Sequence, residues 1–109
     1  MNHKYGEFSE KQIQSTKQSI RKQIFFLLLI VDPNTKDDYK NIDVNAAYDG
    51  FLSKLGGLNT LLREPPELVE VMSLLQSAWA EYNSPDFTFA KYRRLVLSAG
   101  SEIQKIKEV

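Results

Sequence analysis

The sequence has 109 residues, with no cysteine, one histidine and a formal net charge of zero. The absence of cysteine excludes a disulfide framework, a thiolate nucleophile and thiolate metal ligands. The histidine, His3, lies at the very start of the chain, so a catalytic serine–histidine pair would need this N-terminal segment to fold onto the serine. Carboxylates are therefore the main side chains left for acid–base catalysis.

The acidic residues do not form a recognisable catalytic or metal-binding pattern. Glu67 and Glu70 fall in the first turns of a predicted helix, where negative charge complements the helix dipole, and Asp37 and Asp38 fall in a polar loop. The stretch 32–43 has the length of a calcium loop, but its sixth position, where such loops need glycine, is an aspartate. There is no Glu-x-x-His pair of the kind that binds two metals in helical bundles. We therefore predict no catalytic residue, no cofactor and no metal.

The longest apolar run, residues 24–31, contains only eight residues. A helix needs roughly 20 apolar residues to cross a bilayer. The run also follows a long polar segment and ends at Asp32-Pro33, unlike a secretory signal peptide. We predict a soluble, cytoplasmic protein with no membrane contact.

Four segments place apolar side chains at the three- and four-residue steps of an α-helix, and no segment alternates long enough to indicate a β-strand. The first begins at a capping-box pattern, Ser9 to Gln12, and ends before Pro33, because the residue before proline disfavours helical geometry. The fold class predicted from this pattern is all-α, as an antiparallel four-helix bundle. The predicted helices cover residues 10–31, 44–63, 66–82 and 86–107.

The second predicted helix begins after Asp43, a capping residue, and contains Gly56-Gly57. Its apolar spacing continues through the two glycines without a change of register, which favours one helix, kinked or weakened there. The alternative is a helix split at this point, with its two pieces crossing at steeper angles. Asp86 is the predicted cap of the fourth helix. We assign residues 1–8 to a flexible N-terminal tail and residues 9–109 to a single helical-bundle domain.

Two groups of residues are candidates for a protein interface. The apolar run of the first helix has more hydrophobic positions than one buried face requires, so some of them extend around its flanks. In the second helix, small residues form a stripe opposite the apolar face, and such a stripe allows close approach of another helix. The predicted interface comprises Phe25, Phe26, Leu29, Ile30, Ala46, Gly50, Ser53 and Gly57.

Charge is unevenly distributed along the chain, at +3 over residues 1–31, −6 over residues 32–90 and +3 over residues 91–109. The first and last helices of an up-and-down bundle are neighbours, so their cations are expected to share one side. A basic face of this kind can contact nucleic-acid phosphates. The candidate contacts are Lys17, Arg21, Lys22, Lys91, Arg93 and Arg94.

Taken together, these features predict a non-enzymatic helical protein that acts through protein–protein contacts. It would be a homo-oligomer, an inhibitor or immunity-type binder, or a small subunit of an assembly. This assignment is by analogy from fold and size. The alternative is a nucleic-acid-binding accessory protein that uses the basic face of the first and last helices.

Overall fold

The computed structural model describes residues 10–106, which form four α-helices and one short 3-10 turn. No strand occurs in this part of the chain, so the predicted all-α four-helix bundle is confirmed. The predicted tail, residues 1–8, and the Ser9 cap lie outside the described residues. The helices are α1 (Glu10–Leu29), α2 (Val44–Leu61), α3 (Pro66–Tyr82) and α4 (Phe89–Ile103), and the 3-10 turn (Lys36–Tyr39) lies between α1 and α2.

Each helix packs against its neighbour along the chain, and α1 also packs against α4, which closes the bundle. The contact between α3 and α4 is the most extensive and that between α1 and α2 the least. Each helix contributes apolar side chains to the core at three- and four-residue steps, as one buried face requires. The core includes Ile13, Ile20, Ile24, Leu27 and Leu28 of α1, Val44, Tyr48, Phe51 and Leu55 of α2, Leu68, Val71, Leu75 and Ala78 of α3, and Tyr92, Val96, Ala99 and Ile103 of α4.

Helix α1 ends at Leu29, two residues before its predicted end. The Val31 and Asp32 amides both donate to the Leu28 carbonyl, at 3.2 and 2.9 Å, so the chain tightens into a turn there. The last carbonyls of a helix need donors from outside the regular pattern. Here side chains supply two of them: the Tyr92 hydroxyl donates to the Leu27 carbonyl and Thr35 Oγ1 donates to the Leu29 carbonyl, each at 2.7 Å.

Helix α2 runs through Gly56 and Gly57 without interruption, so the alternative of a split helix is wrong. Asp43 caps it as predicted, with its Oδ1 accepting from the Ala46 amide at 3.2 Å. The helix ends at Leu61 instead of residue 63, because Arg63 and Glu64 adopt positive φ values of 62° and 55°. The Glu64 amide then reaches back to the Asn59 carbonyl at 2.8 Å, which closes the helix end.

Helix α3 has the predicted bounds, but α4 begins at Phe89, three residues later than predicted. The predicted cap at Asp86 is wrong, since this residue lies in a turn where its amide donates to Ser84 Oγ at 3.1 Å. Thr88 is the actual cap, and its Oγ1 accepts from the Lys91 amide at 3.4 Å. At the other end α4 stops at Ile103, not at residue 107.

Within residues 10–106, no helix combines the length and the apolar character needed to span a membrane.

Candidate interaction surface on α1 and α4

Phe25 is the aromatic side chain of α1 that the bundle leaves most open, with 45 % of its surface exposed. One residue advances a helix by about 100°, so Phe25 lies beyond the edge of the buried stripe that contains its neighbour Ile24. Its ring therefore borders the outer side of the contact between α1 and α4.

The two helices run antiparallel, because Leu27 near the end of α1 contacts Tyr92 at the start of α4, whereas Lys17 contacts Gln104 just beyond the end of α4. A groove of about 250 Å³ lies along their outer contact. Gly100 lines this groove, and a Cβ atom there would make an ordinary van der Waals contact with Ile24 Cγ2, at 3.9 Å. The apolar lining consists of Ile24, Phe25 and Leu28 from α1 and Val96 and Leu97 from α4.

Cations stand beside Phe25 on α1. Arg21 and Lys22 lie four and three residues before it, on the same side of the helix, and both are exposed. The Gln104 amide, oriented with its oxygen toward Arg21, accepts from the Arg21 guanidinium at 3.1 Å from Nε. Arg21 is thereby held at the edge of the groove.

On α4, Leu97 and Ser101 form a ridge between this groove and a larger one of about 950 Å³ that lies along the outer side of the contact between α3 and α4. Arg93 and Arg94 line the larger groove at the start of the ridge and are exposed. Arg93 lies one turn before Leu97, so it continues the basic border across α4.

The two other predicted nucleic-acid contacts have partners within the bundle. Lys17 Nζ donates to the carbonyls of Gln104 and Ile106 at 3.1 and 2.6 Å, where a cation also complements the negative end of the α4 dipole. Lys91 Nζ lies 3.2 Å from Glu81 Oε1, and Glu81 is nearly buried. The structure thus assigns these two lysines to stabilising contacts and leaves Arg21, Lys22, Arg93 and Arg94 on adjoining outer faces.

The predicted interface residues at the end of α1 separate in the structure. Ile30 is only 5 % exposed and belongs to the core, so it offers no surface to a partner. Phe26 and Leu29 are half-buried. Tyr39 of the 3-10 turn packs edge-on against the Phe26 ring, with centroids 5.5 Å apart. The loop after α1 therefore covers some of the hydrophobic side chains of α1 that exceed one buried face.

The small-residue stripe of α2 is exposed along its length. A Cβ atom placed at Gly50 or Gly57 would meet nothing within 4 Å, so no other part of the described chain packs closely there. Both glycines border shallow grooves between α1 and α2, of about 300 and 510 Å³. Space alone identifies no ligand at this stripe.

Sequence reasoning missed Leu97, Gly100 and Ser101 as parts of the candidate surface. Leu97 lies one position after the buried Val96, so it falls outside the regular inward stripe of α4. An apolar residue set among Arg93, Arg94 and two serines was the available signal. We use "the Phe25 surface" for Arg21, Lys22 and Phe25 of α1 together with Arg93, Leu97 and Ser101 of α4.

A buried polar pair lies on the inner side of the same helix contact. The hydroxyl groups of Tyr48 and Tyr92 are 2.7 Å apart, and Trp79 stacks on the Tyr48 ring with centroids at 5.6 Å. Burial raises the pKa of both tyrosines, that of Tyr92 to about 12. Both hydroxyls therefore stay neutral at physiological pH and act as hydrogen-bonding groups of the core.

The part of the chain that the structure describes contains no group of three or more His, Asp or Glu side chains placed to bind a metal ion. No protein-family model matches this chain, and no match is found among curated proteins or solved structures.

Proposed function

We propose that this protein is a non-enzymatic binding module that contacts a partner protein through the Phe25 surface. The observation that carries this proposal is the exposure of Phe25, which has 45 % of its surface uncovered at a groove between α1 and α4 that the half-buried Leu97 also lines. A single exposed apolar residue is common on protein surfaces, but an aromatic ring at the mouth of an apolar groove is typical of an interface anchor.

The residues around the ring support the same function. Binding hot spots commonly place an aromatic or apolar centre inside a rim of polar and charged side chains. Phe25 and Leu97 supply such a centre, and Arg21, Lys22 and Arg93 supply the rim. At about 250 Å³ the groove is smaller than the cavities that usually enclose small molecules, whereas a protein helix would cover both it and the ring.

Photocrosslinking tests this proposal directly. A benzoylphenylalanine placed at position 25 keeps an aromatic ring there and reacts with whatever covers it in an extract of the native host. Position 69 is the matched control, because Val69 of α3 is similarly exposed, at 48 %, but lies on another helix. We expect protein adducts at position 25 that are absent at position 69. Equal labelling at both positions, or none at position 25, would contradict the proposal.

Self-association is one form of the same function. Light scattering at high concentration should then give a mass above the 12.5 kDa of one chain. Phe25→Ser should return the protein to a monomer, whereas Val69→Ser should not.

Nucleic-acid binding is a second candidate function, supported by the four exposed cations on adjoining faces of α1 and α4. Phosphate contacts are strongest at low salt, so DNA and RNA binding is best measured at about 50 mM. Binding that Arg93→Glu and Arg94→Glu abolish would favour this function, and no binding at that salt concentration would exclude it.

A further inference from the structure

We infer that the partner segment received by the Phe25 surface is an acidic amphipathic helix, an inference that rests on the proposed function. Its apolar side chains would cover Phe25 and Leu97, and its carboxylates would face Arg21, Lys22 and Arg93. The charge, the shape and the apolar content of the surface each contribute to this assignment.

The charge of the surface has one sign. Residues 11–29 of α1 include four basic residues and no acidic one. Two acids line the larger groove beside Arg93. One is Glu70 of α3, and the other is Glu102 of α4, whose Oε2 lies 3.0 Å from Lys105 Nζ. The acid of α1 is Glu10, the first residue of the helix, about three turns before Arg21, so a partner bearing carboxylates would find complementary charge at Arg21 and Lys22. Such complementarity sets orientation and accelerates association.

The shape is that of two antiparallel helices with a groove along their contact. A third helix fits such a groove by placing apolar residues at i, i+3 or i+4, and i+7 along it. The exposed part of Phe25 and the half-buried Leu97 stand on opposite sides of the groove, one on each helix. A helix laid between them would contact both and would bring its flanking side chains to the cations.

The apolar content favours a protein helix over a nucleic acid. Phosphates would neutralise the cations, but they would leave the exposed part of Phe25 and the half-buried Leu97 without an apolar partner. An acidic amphipathic helix satisfies both parts of the surface at once.

The test titrates two matched synthetic peptides into the isotopically labelled full chain and follows amide chemical shifts. One peptide is a helix former with leucines at i, i+4 and i+7 flanked by glutamates, and the other has lysines in place of the glutamates. We expect the acidic peptide to shift Phe25, Leu97 and Ser101 and their neighbours. The lysine peptide should bind at least about tenfold more weakly, and raising the salt to about 500 mM should weaken the acidic peptide.

Variants assign the binding to named side chains. Arg21→Glu and Arg93→Glu should each weaken the acidic peptide by about fivefold or more. Lys54→Glu is the control, because Lys54 is an exposed cation on α2. Phe25→Ser should weaken binding, and Phe25→Leu, which keeps an apolar side chain, should restore most of it.

Several results would overturn the inference. Shifts confined to α2 and α3, equal binding of the two peptides, or no binding would each contradict it. An oligonucleotide that binds the same residues more tightly than the acidic peptide would assign the surface to nucleic acid. Concentration-dependent shifts at Phe25 without any peptide would assign it to a second copy of the chain.

The crosslinking experiment separates this inference from the proposed function. Adducts at position 25 that map to a segment without acidic residues would leave the binding module standing and remove the acidic helix. Failure to capture any protein at position 25 would remove the proposed function itself.

Discussion

The contact between α1 and α4 has an inner and an outer side, and each side carries an aromatic residue in a different situation. Tyr92 on the inner side is fully buried, with both its ring and its hydroxyl in contact with the chain itself. Phe25 on the outer side keeps 45 % of its surface exposed. The comparison separates two situations of aromatic side chains: Tyr92 stabilises the fold from within, and Phe25 keeps apolar surface exposed to solvent.

The inner side is organised by a fixed order of hydrogen bonds. Each tyrosine hydroxyl has one proton to donate. Tyr92 uses its proton for the Leu27 carbonyl, so in the contact between the two hydroxyls Tyr48 must be the donor and Tyr92 the acceptor. The chain of donors therefore runs from α2 through α4 to the end of α1, and it ties three helices together.

Alkaline pH should have the largest effect on this inner side. An unfolded tyrosine ionises near pH 10, whereas the folded pKa of Tyr92 is about 12 and that of Tyr48 is also raised by burial. Above pH 10 the unfolded state therefore binds fewer protons than the folded state, and stability falls as the pH rises. Each tyrosine should remove about 1.4 kcal/mol per pH unit, Tyr92 until about pH 12.

Denaturant titrations at pH 8 to 12 measure this dependence, and Tyr48→Phe is the control. Removing one buried hydroxyl should make the loss of stability with pH about half as steep. An unchanged slope in this variant would mean that other groups cause the alkaline loss.

The donor order predicts that the two tyrosines differ in importance. Tyr92→Phe leaves the Leu27 carbonyl without its side-chain donor and Tyr48 without its acceptor, and should cost about 1 to 3 kcal/mol of unfolding free energy. Tyr48→Phe removes one bond but leaves the bond to Leu27 intact, and should cost about 0.5 to 1.5 kcal/mol. Chemical denaturation at neutral pH measures both. Equal costs, or a larger cost for Tyr48→Phe, would contradict the assigned donor order.

A substitution at Phe25, on the outer side, should cost much less unfolding free energy than a substitution of a buried aromatic residue. Phe25→Ser should reduce stability by only about 1 kcal/mol, because roughly half of the ring is already in water. Phe51 of α2 is 7 % exposed and gives the buried reference, for which Phe51→Ala should cost about 3 to 5 kcal/mol. The same denaturation curves compare the two. A cost at Phe25 close to that at Phe51 would make Phe25 a core residue and not an interface residue.

Much of the bundle could be predicted from the sequence, because the spacing of apolar residues reflects which face of each helix is buried. The cap at Asp43 and the bounds of α3 followed from local residue preferences. The end of α1 did not, since it involves a tertiary hydrogen bond from Tyr92, and the start of α4 depends on which of two nearby capping residues, Asp86 or Thr88, the chain uses. The burial of Ile30 and the contact of Tyr39 with Phe26 likewise depend on how the chain after α1 folds back.

The candidate surface was only partly predictable for the same reason. Phe25 and the cations of α1 and α4 could be proposed from the pattern, and the adjacency of these helices followed from the bundle. The separate roles of Lys17 and Lys91 could not be foreseen, because they depend on carbonyls at the end of α4 and on Glu81 of α3.

The smallest expected effects come from two glycine substitutions that further test the comparison. Gly57→Ala and Gly100→Ala should each stabilise the protein by about 0.5 to 1 kcal/mol, since alanine favours the helix and no Cβ contact closer than 3.9 Å arises. The two variants should differ in binding, because Gly100 lines the α1–α4 groove and Gly57 borders the α1–α2 groove. Thermal denaturation measures the gain in stability expected for both variants, and crosslinking at position 25 measures the expected difference in partner binding. If Gly57→Ala reduced partner capture and Gly100→Ala did not, the interface would belong to the small-residue stripe of α2 instead of the Phe25 surface.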